Sequence, residues 1–173
     1  MSKLNRQVVL KSALSGVPTD EDFRVVEAEI LKPRDGEVLI RHIYLSLDPY
    51  QRSAMSGVHM SADGPLGADA MPSAETIGQV IDSRRPDFYN GDYVRHFGGW
   101  QEYSVSDGTQ TYKVDPAAAP LSTYLGVLGM PGLTAYASVV KLADVQPGQS
   151  VLVSAATGPV LSLIHISEPT RLQ

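Results

Sequence analysis

The most constraining stretch of this 173-residue chain lies near its end. Ser150-Val151-Leu152-Val153-Ser154-Ala155 is a largely apolar run without alternation, the pattern of a strand buried on both faces of a parallel sheet. It leads directly into Ala156-Thr157-Gly158-Pro159-Val160. A strand ending in small residues is how a dinucleotide-binding fold opens. Its G-x-G-x-x-G turn needs one small residue for tightness, a second for backbone approach to a pyrophosphate, and a third for helix–strand packing. Ala156 and Gly158 meet the first two demands, but Leu161 stands where the third glycine belongs. The residues after it, 162–171, lack a helical period, crowd β-branched side chains together and reach Pro169 within about two turns. No amphipathic helix is expected there.

Everything before residue 115 has a different texture. Arg6–Ser12, Phe23–Ile30 and Glu37–Leu47 are rich in Val, Ile, Leu and Tyr, and Lys32-Pro33-Arg34-Asp35-Gly36 makes the turn into the third. Further strands are expected at Thr76–Asp82, Tyr93–His96, Gln101–Val105 and Thr111–Val114, with Asn90-Gly91-Asp92 and Gly98-Gly99 between them. Strands at this spacing favour a small antiparallel barrel or sandwich over βαβ units. Residues 53–72, with three Gly and two Pro, read as a long loop of a functional or mobile kind. After Pro120, Gly129-Met130-Pro131-Gly132 precedes an apolar stretch, Leu133–Val140, that suits a packed helix with Pro131 in its first turn. Val145-Gln146-Pro147-Gly148-Gln149 then turns the chain into the run at Ser150, where a second domain begins.

Composition narrows the chemistry. There is no Cys, which removes disulfides, thiolate catalysis and Cys-ligated zinc together. Fourteen Lys and Arg stand against 19 Asp and Glu, a net −5 without a block of like charge, so neither a nucleic-acid nor an anionic-membrane partner is supported and a small molecule is the default. Met1–Arg6 lacks the apolar core of a secretory signal, and no run approaches the roughly 18 apolar residues that span a bilayer, which points to a cytoplasmic protein.

Four separated motifs carry a resemblance that runs from about residue 5 to residue 160: Asn5-Arg6-Gln7-Val8-Val9-Leu10, Tyr44-Leu45-Ser46-Leu47-Asp48-Pro49-Tyr50, Phe97-Gly98-Gly99-Trp100-Gln101-Glu102-Tyr103, and Leu125–Tyr136 with Gly129-Met130-Pro131-Gly132 at its centre. In this order they resemble the zinc-free medium-chain dehydrogenase/reductase family, and within it the NADPH-dependent curcumin and prostaglandin (leukotriene) reductase branch. The resemblance implies a mainly β GroES-like barrel domain, here residues 1–120, followed by the truncated start of an α/β Rossmann domain over residues 121–160. It also implies reduction of the C=C bond of α,β-unsaturated ketones or aldehydes by hydride from NADPH, and a parent protein that is a homodimer. Zinc-dependent relatives carry Gly-His-Glu where this chain has Ser73-Ala74-Glu75, so no metal is expected.

By the same resemblance, Met130, Gly132 and Thr134 lie at the nicotinamide end of the cofactor. Ala155, Ala156, Thr157, Gly158 and Val160 lie around the pyrophosphate, and Pro49 and Tyr50 at the cleft. Tyr50 is the first candidate for a substrate contact, since a phenol offers an aromatic face and an O–H donor. Structural readings stand beside these. Tyr44 and Tyr50 suit core or rim aromatics, Trp100 suits packing between strand and cleft, and Asp48 suits a cap on the turn at Pro49. His42, His59 and His96 are scattered singly, which argues against a metal site, and Arg84-Arg85 reads as a solvated turn.

The family pattern breaks between Val160 and Leu161. Residues 161–171 resemble the in-frame translation of a transposase adaptor used in preparing sequencing libraries, so residues 161–173 are expected to be adaptor-derived and the chain itself inactive. The parent is then an enone or enal reductase. A quinone oxidoreductase of the same fold and a non-catalytic GroES-like binding or structural protein are the alternatives.

Overall fold

The computed structural model describes residues 4–57, 65–146, 148–154 and 157–167. The expectations resting on His59, Pro147, Ala155, Ala156 and residues 168–173 therefore lie outside the described residues. The chain divides into two compact units, residues 1–116 and residues 117–173.

The first unit is antiparallel β structure. Strands β1 (Leu4–Leu10) and β2 (Phe23–Glu29) pair with each other. Strands β3 (Val38–Leu45), β4 (Glu75–Ser83), β5 (Tyr93–Phe97), β6 (Tyr103–Ser106) and β7 (Tyr112–Val114) form a second sheet in the order β6-β3-β4-β5-β7. The two sheets are tied at one place: Val8 N donates to Trp100 O (2.8 Å), Glu102 N to Arg6 O (3.0 Å), and Gln7 bridges Gln101. Strand side chains Val38, Ile40, Val80 and Val94 form one core with Phe88 from a connecting segment, and Leu10 of β1 forms another with Leu14 and Met55. Each such side chain, fully buried, contributes about 1.5–3 kcal/mol.

Three expectations are corrected in this unit. The stretch 53–72 is not all loop, because Pro49–Ser56 is a helix, α1. Asp48 occupies its N-cap without a side-chain capping bond and Pro49 its first turn, Met55 is buried, and Gly57 ends the helix at φ 68°. Arg85 is not simply solvated: it pairs with Asp87 at 2.8 Å and reaches the carbonyls of Gly36 and Asp107, stitching three turns together. The histidines are not all scattered singly, since the register of the sheet brings His42 and His96 together.

The second unit holds α2 (Met130–Tyr136), which runs on as a π-helical turn over Ala137–Leu142, and α3 (Leu161–Ser167). Pro131 sits in the first turn of α2. The helix α3 overturns the expectation of non-helical chain after the turn. Leu161 and Ile164, three residues apart, pack against Ala135 and Val139, and this contact outweighs a poor local pattern. The run from Ser150 is corrected as well. Residues 150–154 form no strand, and Leu152 is 98% exposed, because no neighbouring strand meets their backbone groups.

Candidate functional site

The β1–β2 hairpin and the strands tied to it enclose an open groove of about 570 Å³. Val8, Val25, Leu45 and Leu47 make its apolar lining, Trp100 its wall, and the Arg6–Glu102 ion pair part of its rim. A second cleft of about 450 Å³ shares Leu47 and Trp100 with it and is bounded by Phe23, Pro49, Gln51 and Met55. The indole of Trp100 stacks on Phe23 with ring centres 5.6 Å apart, so the packing expected of Trp100 is present, and the same ring borders both cavities.

Pro49 lies on the rim of the second cleft. Tyr50 follows it on α1, but its Oη is closed off from solvent and makes no hydrogen bond of ordinary geometry. A buried hydroxyl without a partner costs about 1–3 kcal/mol. Burial pushes the phenol pKa up, the Asp48 and Glu75 carboxylates add to it, and polar approaches from Gln51 and the Glu75 backbone partly offset it. Tyr50 is therefore a neutral O–H donor at any physiological pH. Glu75, the residue retained from the zinc-type motif, forms an ion pair with Arg95 at 3.3 Å. Its carboxyl is pushed up by burial, opposed by Arg95 and helped by Asp48.

Gly98-Gly99 and the strand register build a polar cluster that sequence reading missed. His42 Nδ1 donates to Gln101 O at 2.7 Å, which fixes its tautomer and leaves Nε2 as an acceptor. That Nε2 lies 2.8 Å from Ser104 Oγ and 3.1 Å from His96 Nε2, and Ser104 Oγ is 3.3 Å from His96 Nε2. The consistent chain of donors runs from His96 Nε2–H to Ser104 Oγ–H to His42 Nε2. Gly98 makes room for it, since a Cβ there would fall 2.3–2.4 Å from the His42 ring. Burial lowers the pKa of both rings, and the neighbouring His42 adds to the fall of His96, which is lowered to about 3. Unfolded, both rings take up a proton near the ordinary value of about 6.5, so the unfolded state binds more protons between pH 6.5 and 3. The stability held by His96 is complete above pH 6.5 and falls by about 1.4 kcal/mol per unit as pH drops through that window. Among the described residues, no group of three or more His, Asp or Glu converges where a metal could be held.

In the second unit, Met130, Gly132 and Thr134 lie on α2. Thr134 Oγ1 is spent on Met130 O at 2.8 Å. Gly132 N donates to Gly126 O at 3.1 Å, and a Cβ on Gly132 would fall 1.8 Å from Val127 O. Gly158 O accepts from Ser162 N at 2.9 Å, so Thr157, Gly158 and Val160 form the entry to α3, and Val160 packs near Ala135 and Val139. A dinucleotide needs a paired strand behind its pyrophosphate turn and cations for its phosphates. Residues 150–154 form no strand, and the described residues after Lys141 include no Lys or Arg. They do not complete a pocket for such a cofactor.

Comparison with known proteins gives these cavities a context. Residues 6–114 match the family described as the N-terminal domain of oxidoreductase. Among curated relatives, the NADPH-dependent curcumin reductase of Escherichia coli (strain K12) is 40% identical over 156 residues, covering 90% of this chain and 45% of that protein. The 2-alkenal reductase (NADP(+)-dependent) of Nicotiana tabacum is 38% identical, with 92% and 48% covered, and prostaglandin reductase 1 of Bos taurus is 37% identical, with 90% and 46% covered. The crystal structure of CurA from Vibrio vulnificus, also solved in complex with NADPH, superposes with a TM-score of 0.83 at 39% identity, covering 92% of this chain and 47% of that one. The chain spans about half the length of the curated relatives it matches.

Proposed function

From the premise that this chain belongs to the zinc-free medium-chain dehydrogenase/reductases, in the branch of the curcumin, 2-alkenal and prostaglandin reductases, we propose that the whole protein reduces the C=C bond of α,β-unsaturated ketones and aldehydes with NADPH. The observation that carries this reading is the agreement of relatives named for curcumin, 2-alkenals and prostaglandins, all 37–40% identical over about nine tenths of this chain, whose β unit holds an apolar groove. A 2-alkenal is by its structure an α,β-unsaturated aldehyde.

NADPH supplies the hydride when bound, and because the residues described here do not complete its pocket, the roles assigned to this chain are confined to the substrate side. The groove lining at Val8, Val25, Leu45 and Leu47 takes the apolar body of the enone. Tyr50, protonated, is proposed as the donor for its carbonyl oxygen, on which negative charge gathers as the β-carbon is reduced; this requires its Oη, closed off from solvent in this structure, to turn toward the bound substrate. Met130, Gly132, Thr134, Thr157, Gly158 and Val160, with Ala155 and Ala156, are proposed to lie along the cofactor once the second domain is whole. The whole protein is further proposed to be a cytoplasmic homodimer that works without a metal. Among the described residues no helix is long and apolar enough to cross a membrane.

The test is turnover by the whole protein with NADPH, comparing a simple enone with a quinone. The enone is expected to be preferred, and Tyr50→Phe is expected to lower its kcat/KM about tenfold, the equivalent of about 1.4 kcal/mol, by loss of one hydrogen bond to developing charge. A protein that turns over only the quinone contradicts the reading.

A further inference from the structure

We infer that His42, Ser104 and His96 form an acid-sensitive latch that fixes the Gly98–Glu102 segment, and with it Trp100, as the wall of the apolar groove. The inference rests on the groove itself and holds whichever substrate occupies it.

The segment is anchored through Gln101 on every side. His42 Nδ1–H holds its carbonyl at 2.7 Å. Its side-chain Oε1 accepts from Asn5 Nδ2 at 3.0 Å and Gln7 Nε2 at 2.8 Å, and its Nε2 donates to Gly98 O at 2.8 Å. Trp100 is thus held between a backbone bond to Val8 and a residue clamped by His42. Asn5 and Gln7 cannot change state with pH, so the imidazole end is the one place where acid acts on this clamp.

The surroundings offer a second proton no acceptor besides the Ser104 oxygen that His96 already uses. On β4, the residues level with the pair are Gly78 opposite His42 and Thr76 opposite His96, and Thr76 Oγ1 already donates to His96 O at 3.1 Å. On β6 the group is Ser104, whose oxygen is shared by both rings. The charged neighbours are committed elsewhere: Arg95 on β5 to Glu75 on β4, and Glu102 to Arg6 on β1, while Arg41 stands next to His42 on β3 at an exposed position. Once His42 Nε2 carries a proton it becomes a donor facing the Nε2–H of His96 at 3.1 Å, and the Ser104 hydroxyl, left to accept from both rings, loses the ring nitrogen that received its own proton. Swinging the His42 ring away from His96 relieves the conflict, and because the Nδ1–H bond to Gln101 O strengthens when the ring is charged, the ring draws Gln101, and therefore Trp100, with it.

Trp100 is the only tryptophan in the chain, so its fluorescence reports this segment alone. The experiment titrates the 173-residue chain from pH 7.5 downward, following tryptophan emission and far-ultraviolet circular dichroism together, for the native sequence and for His96→Gln. The native chain is expected to change its emission at a higher pH than it loses strand signal, and His96→Gln is expected to reduce the protons taken up in that step from about two to about one. Coincident emission and dichroism curves, or an emission step unchanged in His96→Gln, overturn the inference. Should His96→Gln fail to fold, imidazole nitrogen shifts of the native chain decide: an Nδ1–H tautomer at His42 and an Nε2–H tautomer at His96, both still neutral below pH 6, support it. A ring that titrates at the ordinary value of about 6.5 overturns it.

Discussion

Gly132→Ala is expected to destabilise the second unit by about 2–3 kcal/mol, although alanine is the better helix former by about 1 kcal/mol. The reason is distance. A Cβ at residue 132 would lie 1.8 Å from Val127 O and 2.5 Å from Val127 C, and these are backbone atoms that no rotamer change can withdraw. The turn before α2 is itself fixed by Gly132 N to Gly126 O at 3.1 Å and Leu128 N to Thr123 O at 3.0 Å, so the clash passes to the whole Leu121–Leu125 turn. Gly129 is held in the same way, with its missing Cβ 2.5 Å from Tyr124 O. Amide hydrogen exchange over Ala135–Val139 measures the effect in the unit concerned. Protection there is expected to fall about thirtyfold or more, and unchanged or increased protection would show that the turn can yield.

The second large effect concerns NADPH. The 173-residue chain is expected to bind it with a dissociation constant above about 1 mM, roughly a thousandfold weaker than micromolar binding and a loss of about 4 kcal/mol. Residues 150–154 lack the paired strand that aims a phosphate-binding turn, Leu161 replaces the third glycine, and Lys141 is followed by no described cation. Thr134, the hydroxyl nearest in sequence to the Met130-Pro131-Gly132 turn, is already bonded to Met130 O. Fluorescence titration of the reduced nicotinamide is the measurement. Micromolar binding by this chain would contradict the account of the second unit.

Strand runs were the legible part of this molecule. Arg6–Ser12, Phe23–Ile30 and Glu37–Leu47 correspond to β1, β2 and β3 within two residues at each end, because Val, Ile and Tyr on a half-buried pleated surface leave an alternation that local sequence preserves. What escaped reading depends on partners far along the chain. His42 and His96 are 54 residues apart and meet only because β4 holds Gly78 level with one and Thr76 level with the other. The signal available was the pair Gly98-Gly99 just after His96, a place where a ring from another strand had to fit. The run Ser150–Ala155 failed in the opposite sense: its apolar texture is that of a buried strand, but a strand exists only with a neighbour to bond, and residues 150–154 have none. Likewise Leu161–Ser167 became helical because Ile164 finds Ala135 and Val139, a contact no local period encodes.

At the candidate site, Pro49 of the Asp48-Pro49-Tyr50 motif lies on the rim of the second cleft and Trp100 borders both cavities, while the roles that the resemblance implies for Pro49 and Tyr50 stand as proposals. Nothing in the residues themselves foretells that Tyr50 Oη is buried without a hydrogen-bond partner, since that depends on the tertiary surroundings of α1.

The most direct test of the central proposal is the product formed when the whole protein is given NADPH and an α,β-unsaturated ketone. Formation of the saturated ketone, with the carbonyl intact, is the predicted result. An allylic alcohol, or no product under conditions where NADPH is bound, would contradict it.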